Sequence, residues 1–593
     1  MNLSSTIKSI QDIMRKDDGV DGDAQRLGQL TWMLFLKVFD QREQEWEDDN
    51  RKYKSPIPAR CRWRNWAEYK VDKSGKKQPQ IAASELVAFV NNVLFPTLKE
   101  KIDPSLGPQY AVIKSVFEDA NNYMKSGTLM LAVIEKLEEA IDFHDFKTRA
   151  NLGDVYEQLL NDLRGAGNAG EFYTPRAITK FMVDRVNPSL KKREKVLDPA
   201  CGTGGFLTAT IDHFGNQVNK KSSTDDKRAI EELIHGIEKK QLPHLLCTTN
   251  MLLHGIDVPS QIEHRNTLGR AWNEWAANQK VDCLITNPPF GGYEDDGVGA
   301  DYPADLRTRE TADMFMALII KKLLKDKGRA AVVLPDGFLF GDGIKNTLKK
   351  LLLRDCNLHT IVRLPKGVFA PYTTIKTNLL FFTKGRAVAD GSEHFHTDTI
   401  WFYEHPYPPG YKSYSKTKPI QDSEFDPIKA WWGKESEDFA SRVETPLAWK
   451  VDFKDKRLKA EAAAAPHWRR AETLGNETAA LDNDFRALRE SIKGVTAPKK
   501  RKAAEDRMAA LREQIDALRL QARDAQAAGD RLYWHIFNLD IKNPNTADEE
   551  IHDPDVLLEK YKKLLGEIEE TQNQLKSELA AALAHHFAPG VEA

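Results

Sequence analysis

Four consecutive residues, Asn287, Pro288, Pro289 and Phe290, follow directly on the apolar run Val281 to Thr286. An Asn-Pro turn closing a buried strand accounts for the first two. The quartet also suits one particular reaction. The 6-amino nitrogen of adenine has its lone pair delocalised into the ring and is a poor nucleophile until that conjugation is relieved. The side-chain oxygen of Asn287 and the carbonyl of Pro288 can accept its two hydrogens as the nitrogen becomes tetrahedral, and the prolines hold that carbonyl still. Phe290 can stack on the base. Such stacking is worth about 1–3 kcal/mol, which offsets part of the cost of taking an adenine out of its duplex.

A second constellation runs from Val196 to Phe206, a strand pattern passing through Asp198 into the loop Gly202, Thr203, Gly204 and Gly205 and then into an apolar helix. Glycine lets a backbone approach a ligand closely, and the helix amino end favours an anionic group, so dinucleotide and methyl-donor sites share this physics. Glu238 ends the next strand pattern, forty residues after Asp198. Its carboxylate can accept hydrogen bonds from both hydroxyls of a ribose, although an exposed surface glutamate would read the same way. Third, Glu171, Phe172, Tyr173, Thr174, Pro175 and Arg176 open a helix, with Thr174 expected as its N-cap and Pro175 at its first helical position. Capping does not account for the two adjacent aromatic residues.

These residues need elements to position them. Six short apolar runs, Lys195 to Asp198, Ile234 to Glu238, Val281 to Thr286, Arg329 to Pro335, Thr360 to Pro365 and Asn378 to Thr383, alternate with helical stretches. That alternation predicts a largely parallel sheet with helices on both faces, whose ligands bind at the carboxyl ends of the strands. Before it, Leu27, Leu30, Leu34 and Val38 recur at helical spacing, and Leu129 to Leu163 also reads as helices. The segment Lys52 to Lys77 mixes cations with Trp63 and Trp66. It fits either a phosphate backbone or, more simply, a linker that packs its tryptophans. After about Ala387 the pattern loosens into a stretch read as loop, containing Trp401, Tyr403, Trp431 and Trp432. Two helical stretches end the chain, one through Met508, Leu511, Ile515 and Leu518, the other with a heptad stripe Leu557, Tyr561, Leu564, Ile568, Thr571 and Leu575. The basic run Lys499 to Lys502 would in isolation read as a nuclear signal or a phosphate contact, but beside a charged helix it is more simply a solvated face.

A chain of 593 residues carries about three domains. We expect a helical domain at 1–149, a catalytic α/β domain at 150–387 and a C-terminal region with docking helices at 388–593. With 86 Lys and Arg against 88 Asp and Glu, no global positive field marks a nucleic-acid binder, so affinity for DNA must come from local patches or a partner. Five dispersed cysteines without ligand spacing argue against disulfides and zinc, and no metal is expected. No apolar run approaches the ~20 residues of a membrane span, and a cytoplasmic protein is the simplest reading. A GxxxxGK[ST] loop is missing, so a motor or nuclease belongs elsewhere. A Pro-Cys pair, which cytosine ring methylation would need, is missing as well.

In the order Glu171 to Arg176, Asp198 to Phe206, Asn287 to Phe290, these segments resemble gamma-arrangement amino-methyltransferases, and more narrowly the modification subunits of type I restriction-modification systems. The similarity extends to Asn151 to Leu160, Asn250 to Asp257, Leu364 to Phe369 and Asn538 to Pro544. It implies a Rossmann-like doubly wound methyltransferase sheet with one antiparallel strand near Asn378 to Thr383, between a helical N-terminal domain and a helical tail. It implies transfer to the adenine 6-amino group in double-stranded DNA, with S-adenosyl-L-methionine held by Glu171 to Arg176, Asp198, Gly202 to Gly205 and Glu238. Phe369 would be a second aromatic beside the flipped base. Where related sequences carry an acidic residue, this chain has Asn266, which can still bond the cofactor's adenine. The resemblance further implies a separate specificity subunit bound by two modification subunits, and a restriction and translocase subunit. Its rival is a self-contained adenine methyltransferase whose C-terminal region reads DNA itself.

Overall fold

The structure, a computed structural model, describes residues 3–72, 74–140, 153, 156, 160, 173–218, 224–370, 372–386, 394–415, 417–494, 497–545 and 554–586. Arg149 and Ala387, the expected domain limits, lie outside these residues, as does the chain from 161 to 172. Contacts divide the chain into Met1–Lys542 and Asn543–Ala593.

The first unit begins with helices, among them α1 (Leu3–Met14), α2 (Asp23–Asp49) and α3 (Gly127–Ala140). The helical stripe of α2 is realised as read, with Leu27, Leu30, Leu34 and Val38 all buried. The segment from Lys52 to Lys77 keeps its tryptophans inside. Trp63 and Trp66 are 3% and 2% exposed and meet edge to face at 5.1 Å. The indole nitrogen of Trp63 donates to Glu138 at 2.8 Å. Rings so buried cannot stack on bases, and the packing alternative is the one observed.

Nine strands then build one sheet: β1 (Val196–Asp198), β2 (Ile234–Glu238), β3 (Ile262–His264), β4 (Val281–Thr286), β5 (Leu324–Pro335), β6 (Cys356–Arg363), β7 (Thr377–Lys384), β8 (Thr399–Glu404) and β9 (Ala448–Asp452). Their spatial order is β9-β8-β6-β7-β5-β4-β1-β2-β3. β1 lies parallel between β2 and β4, with Val196 opposite Ile234 on one side and Cys283 on the other. β7 runs antiparallel to both β5 and β6, as the resemblance implies. A second antiparallel strand, β9, closes the edge against β8. Side chains alternate between two cores, as strand geometry requires. Ala330, Val332 and Leu334 face one core, Ala331 and Val333 the other.

The stretch read as loop after Ala387 contains β8, so that reading is corrected. The prolines that suggested a loop begin at Pro406, beyond the end of β8, while Trp401 and Tyr403 are buried in the strand. Trp431 and Trp432 stack instead on the Arg442 guanidinium, at 4.7 and 5.0 Å. These rings are packing residues.

The sheet's helices include α4 (Arg176–Val186), α5 (Gly205–Gln217), α6 (Gln241–Leu253) and α7 (Ile344–Asp355). α6 has two covered faces. Leu245, Leu246, Leu252 and Leu253 belong to the N-terminal helical core, whereas Cys247 and Met251 pack on the sheet side. After β9 come α8 (Phe453–Ile492) and α9 (Pro498–Trp534), an antiparallel hairpin. It is clasped by Trp468 donating to Asp530 at 3.0 Å and Arg519 pairing with Asp482 at 2.6 Å. A Cβ at Gly529 would stand 2.6 Å from the Trp468 ring, so glycine permits this close approach. The second unit holds α10 (Pro554–His586). No helix among the described residues is long and apolar enough to cross a membrane.

Replacing Trp66 by Ala is expected to cost about 3–5 kcal/mol in urea unfolding, the range for emptying a large aromatic site. A variant of unchanged stability that binds DNA more weakly would return this segment to the DNA surface.

Candidate active site

Because β1, β2 and β4 are parallel, their carboxyl ends open on one edge of the sheet. There a cavity of about 280 Å³ is lined by Tyr173, Thr174, Asp198, Gly202, Gly205, Glu238, Asn287 to Phe290 and Phe369. Thus most residues singled out in the sequence converge. Pro175, Arg176, Thr203, Gly204 and Asn266 do not line it, and Glu171 and Phe172 lie outside the described residues.

The glycine loop is held from below. Cys201 N donates to the Ile237 carbonyl at 3.0 Å, and the Asn250 amide of α6 donates to the Thr203 carbonyl at 3.1 Å. Gly202 and Gly204 have φ of 53° and 84°, the left-handed region that favours glycine. A Cβ on Gly204 would also come within 2.8 Å of the Cys247 sulfur, so Gly204 shapes the loop without facing the cavity. Glu238 bridges loop and strand, accepting from Gly202 N at 2.9 Å and Lys240 N at 2.8 Å. Each carboxylate oxygen keeps a lone pair for a further donor.

On the other side, β4 delivers Asn287. Its amide nitrogen donates to the Thr174 hydroxyl at 3.1 Å, and its buried side-chain oxygen has no hydrogen-bond partner. A buried acceptor without a donor costs about 1–3 kcal/mol unless a ligand meets it. Thr174 is therefore not an N-cap, and that expectation is corrected. Pro175 caps α4, its carbonyl accepting from Ile178 N and Thr179 N at 2.9 and 3.1 Å, while the Thr174 hydroxyl is turned to Asn287. Arg176 pairs outside the cavity with Asp212 at 3.5 Å. Pro288 is buried, Phe290 half-buried and Phe369 buried, so two aromatic rings flank the mouth.

Sequence reading missed Lys239, Lys240, Tyr293, Glu294, Thr311 and Tyr372, which also line the cavity. Glu294 is the informative one. It is 7% exposed, pairs with Lys239 at 2.9 Å and accepts from the Asn266 amide at 3.0 Å. Asn266 is thus bonded to a buried carboxylate that the loop after β4 delivers. The rule that ligands sit beyond strand ends pointed to this loop, but no local pattern marked the residue.

Comparison with known proteins adds the following. The profile described as N-6 DNA Methylase matches residues 147–461, and that described as HsdM N-terminal domain matches residues 3–137. The chain is 49% identical over 585 residues to the type I restriction enzyme EcoEI methylase subunit of Escherichia coli, covering 98% of this chain and 99% of that one. A crystallised modification subunit from Vibrio vulnificus YJ016 is 38% identical with a TM-score of 0.62, over 76% of this chain and 92% of the other. A chain from a structural study of complex assembly and conformational transition of the type I R-M system is 30% identical with a TM-score of 0.67, over 98% and 99%.

The cavity floor is electrostatically tuned. Burial pushes the Asp198 carboxyl up to about 7, against the hydrogen bonds from the Thr286 hydroxyl at 2.7 Å and Ala200 N at 3.1 Å. Burial also raises Glu238, opposed by the backbone N–H groups of Lys240 and Gly202. For Asp198 the folded value lies above the unfolded one of 3.8, so its contribution to stability is complete below about pH 4 and is lost as pH rises through about 7. Asp198→Asn is expected to abolish this dependence, the variant gaining on the wild type in thermal midpoint between pH 5 and 8. Parallel profiles for the two proteins would show that Asp198 titrates normally.

Proposed function

This chain belongs to the N-6 DNA methylases, as a modification subunit of the type I restriction-modification kind, and from that premise we propose how its cavity methylates adenine. The protein is a DNA methyltransferase that modifies the adenine 6-amino group within a restriction-modification complex. The observation that carries the site assignment is the unpartnered Asn287 oxygen, buried in the same cavity as Gly202 and Glu238.

The donor set fits S-adenosyl-L-methionine. Gly202, Gly205 and the amino end of α5 receive its methionine portion on a loop that Thr203 and Gly204 shape, beside Asp198, Tyr173 and Thr174, while Pro175 and Arg176 start the helix behind them. The free lone pairs of Glu238 accept from the ribose hydroxyls. Glu294, positioned by Asn266 and Lys239, accepts from the amino group of the cofactor's adenine. When bound, the cofactor supplies an already activated sulfonium methyl, so the protein need not generate an electrophile.

The target adenine, turned out of the duplex, lies between Phe290 and Phe369. The Asn287 oxygen and the Pro288 carbonyl hold its two amino hydrogens, drawing the nitrogen lone pair out of conjugation, and Pro289 stiffens the turn. Because these acceptors gain most as the nitrogen becomes tetrahedral, they stabilise the transition state more than the bound substrate.

In this reading the chain divides into a helical domain at 1–149, a methyltransferase domain at 150–387 and a C-terminal region at 388–593 that lends β8 and β9 to the sheet. It acts in the cytoplasm on double-stranded DNA. Two copies join one specificity subunit, and a restriction and translocase subunit completes the complex. The docking surface is α10, where Tyr561, Leu564, Ile568 and Leu575 of the heptad stripe are 62%, 56%, 47% and 68% exposed. An apolar seam of that length needs a cover. Full-length similarity to a methylase subunit runs through this tail, which favours a shared subunit architecture over a self-contained enzyme with its own reader.

Asn287→Ala is expected to remove most methylation, by about 100-fold or more in turnover, while calorimetry shows nearly unchanged affinity for S-adenosyl-L-methionine. Wild-type turnover in this variant would sink the assignment. Removing the residues after Asp553 is expected to leave cofactor binding intact and abolish co-purification with the specificity subunit. If the shortened chain still assembles, the docking surface lies elsewhere.

A further inference from the structure

The hairpin of α8 and α9 does more than cover one face of the sheet. Its base is packed, through Phe453, Ala460, Ala464, Tyr533 and Phe537. The chain leaving α9 is tied to the edge of the sheet that carries the cavity. Leu539 N donates to the Leu339 carbonyl at 3.0 Å just after β5, and Arg363 at the end of β6 donates to the Ile541 carbonyl at 2.9 Å. From that anchor α9 alone, 37 residues, spans about 55 Å at 1.5 Å per residue. Past Thr478 on α8 and before Ile515 on α9 none of its described residues is buried, so the far part of the hairpin contributes nothing to the protein's own core.

The charge of this far end is unlike that of the chain. Between Arg489 and Lys502 there are six cations, Arg489, Lys493, Lys499, Lys500, Arg501 and Lys502, against the single carboxylate of Glu490, in a protein whose net charge is -2. All six are exposed. Glu490 holds Lys493 at 2.7 Å and Glu505 holds Arg501 at 3.0 Å. Lys499, Lys500 and Lys502 make no ion pair among the described residues. Four of these cations stand among the first five residues of α9, whose first turn has no acidic residue and whose amino end has no side-chain cap. Positive charge at a helix amino end opposes the macrodipole, so the cluster stands where it destabilises its own helix. Its placement calls for an anion outside the molecule.

We infer that six cations of this hairpin, Arg489, Lys493, Lys499, Lys500, Arg501 and Lys502, form a second DNA contact, binding the phosphate backbone of the duplex away from the base that is being methylated. Consecutive helical residues point about 100° apart, so the four cations fan around the helix end and cannot all meet one flat protein surface. Lysine acts as a point charge that needs no fixed acceptor geometry, which suits a phosphate backbone. A protein interface would want aromatic anchors and few lysines, and no Trp, Tyr or Phe occurs from Arg489 to Arg507. The contact is independent of sequence. It adds affinity and holds the duplex along the arm, leaving sequence reading to other parts of the complex.

The inference rests on duplex DNA being the substrate, and the two can fail separately, since the Asn287→Ala assay does not involve the tip. The test uses the full chain and a fluorescein-labelled duplex of about 30 base pairs, followed by anisotropy over a range of salt concentrations. The variant replaces Lys499, Lys500, Arg501 and Lys502 by Gln. The slope of log affinity against log salt should shrink in magnitude by about 2–4, and affinity at low salt should fall at least about tenfold. A second variant, Lys499→Glu with Lys500→Glu, suits the helix amino end better and should bind still less DNA while melting no lower than the wild type. Equal affinity and equal slope in all three proteins overturn the inference. So does intact duplex binding with lost co-purification of the specificity subunit, which would make the tip a protein contact.

Discussion

Everything at the catalytic edge follows from the parallel pairing of β1 with both of its neighbours. With Val196 opposite Ile234 and Cys283, β2 and β4 run one or two residues past the end of β1, and Asp198, Glu238 and Asn287 emerge on one rim although 89 residues separate the first from the last. A shift of one residue in either pairing would turn each strand's alternate side chains to the opposite core. The two cores, one built on Ala330, Val332 and Leu334 and the other on Ala331 and Val333, are what make such a shift costly. The site is therefore registered by apolar packing some distance from it. The polar bonds around Gly202 and Glu238 refine a geometry the strands have already set.

Much of this was readable in advance because the governing physics is local. A strand running into Gly202, Gly204 and Gly205, an acidic residue closing the next strand, and Asn287 followed by two prolines each mark a strand end within a few residues. β1, β2, β4, β5, β6 and β7 were readable for the same reason, since their apolar runs are bounded by turn residues. β3, β8 and β9 were not. β3 is three residues long on an edge, and β8 and β9 are separated by a 43-residue excursion that carries six prolines and three tyrosines. Thr174 and Glu294 were unreadable for a different reason. A threonine before a proline looks like a cap, and only the arrival of Asn287, 113 residues later in the chain, gives its hydroxyl another partner. Glu294 acquires its meaning from Lys239 and Asn266, which reach it from other strands.

The cavity also shows how one chain keeps donor and acceptor chemistry apart. On the β1 and β2 side the protein presents backbone N–H groups and carboxylates already bonded to them, a surface that accepts more hydrogen bonds without rearranging. On the β4 side it presents a bare oxygen, a buried carbonyl and two rings. The first half is satisfied in the free protein and the second is not. Among the described residues that line the cavity, the buried side-chain atom left without a partner is the Asn287 oxygen.

The two covered faces of α6 have a mechanical meaning. Leu245, Leu246, Leu252 and Leu253 are embedded in the N-terminal helices, while Cys247 limits the space beside Gly204 and Asn250 holds the Thr203 carbonyl. A rod clamped along both sides cannot turn for one neighbour without displacing the other. Any swing of the N-terminal helices relative to the sheet must either strip four leucines from their core or drag the glycine loop with it. The glycine loop and the N-terminal helices therefore rest on one shared support.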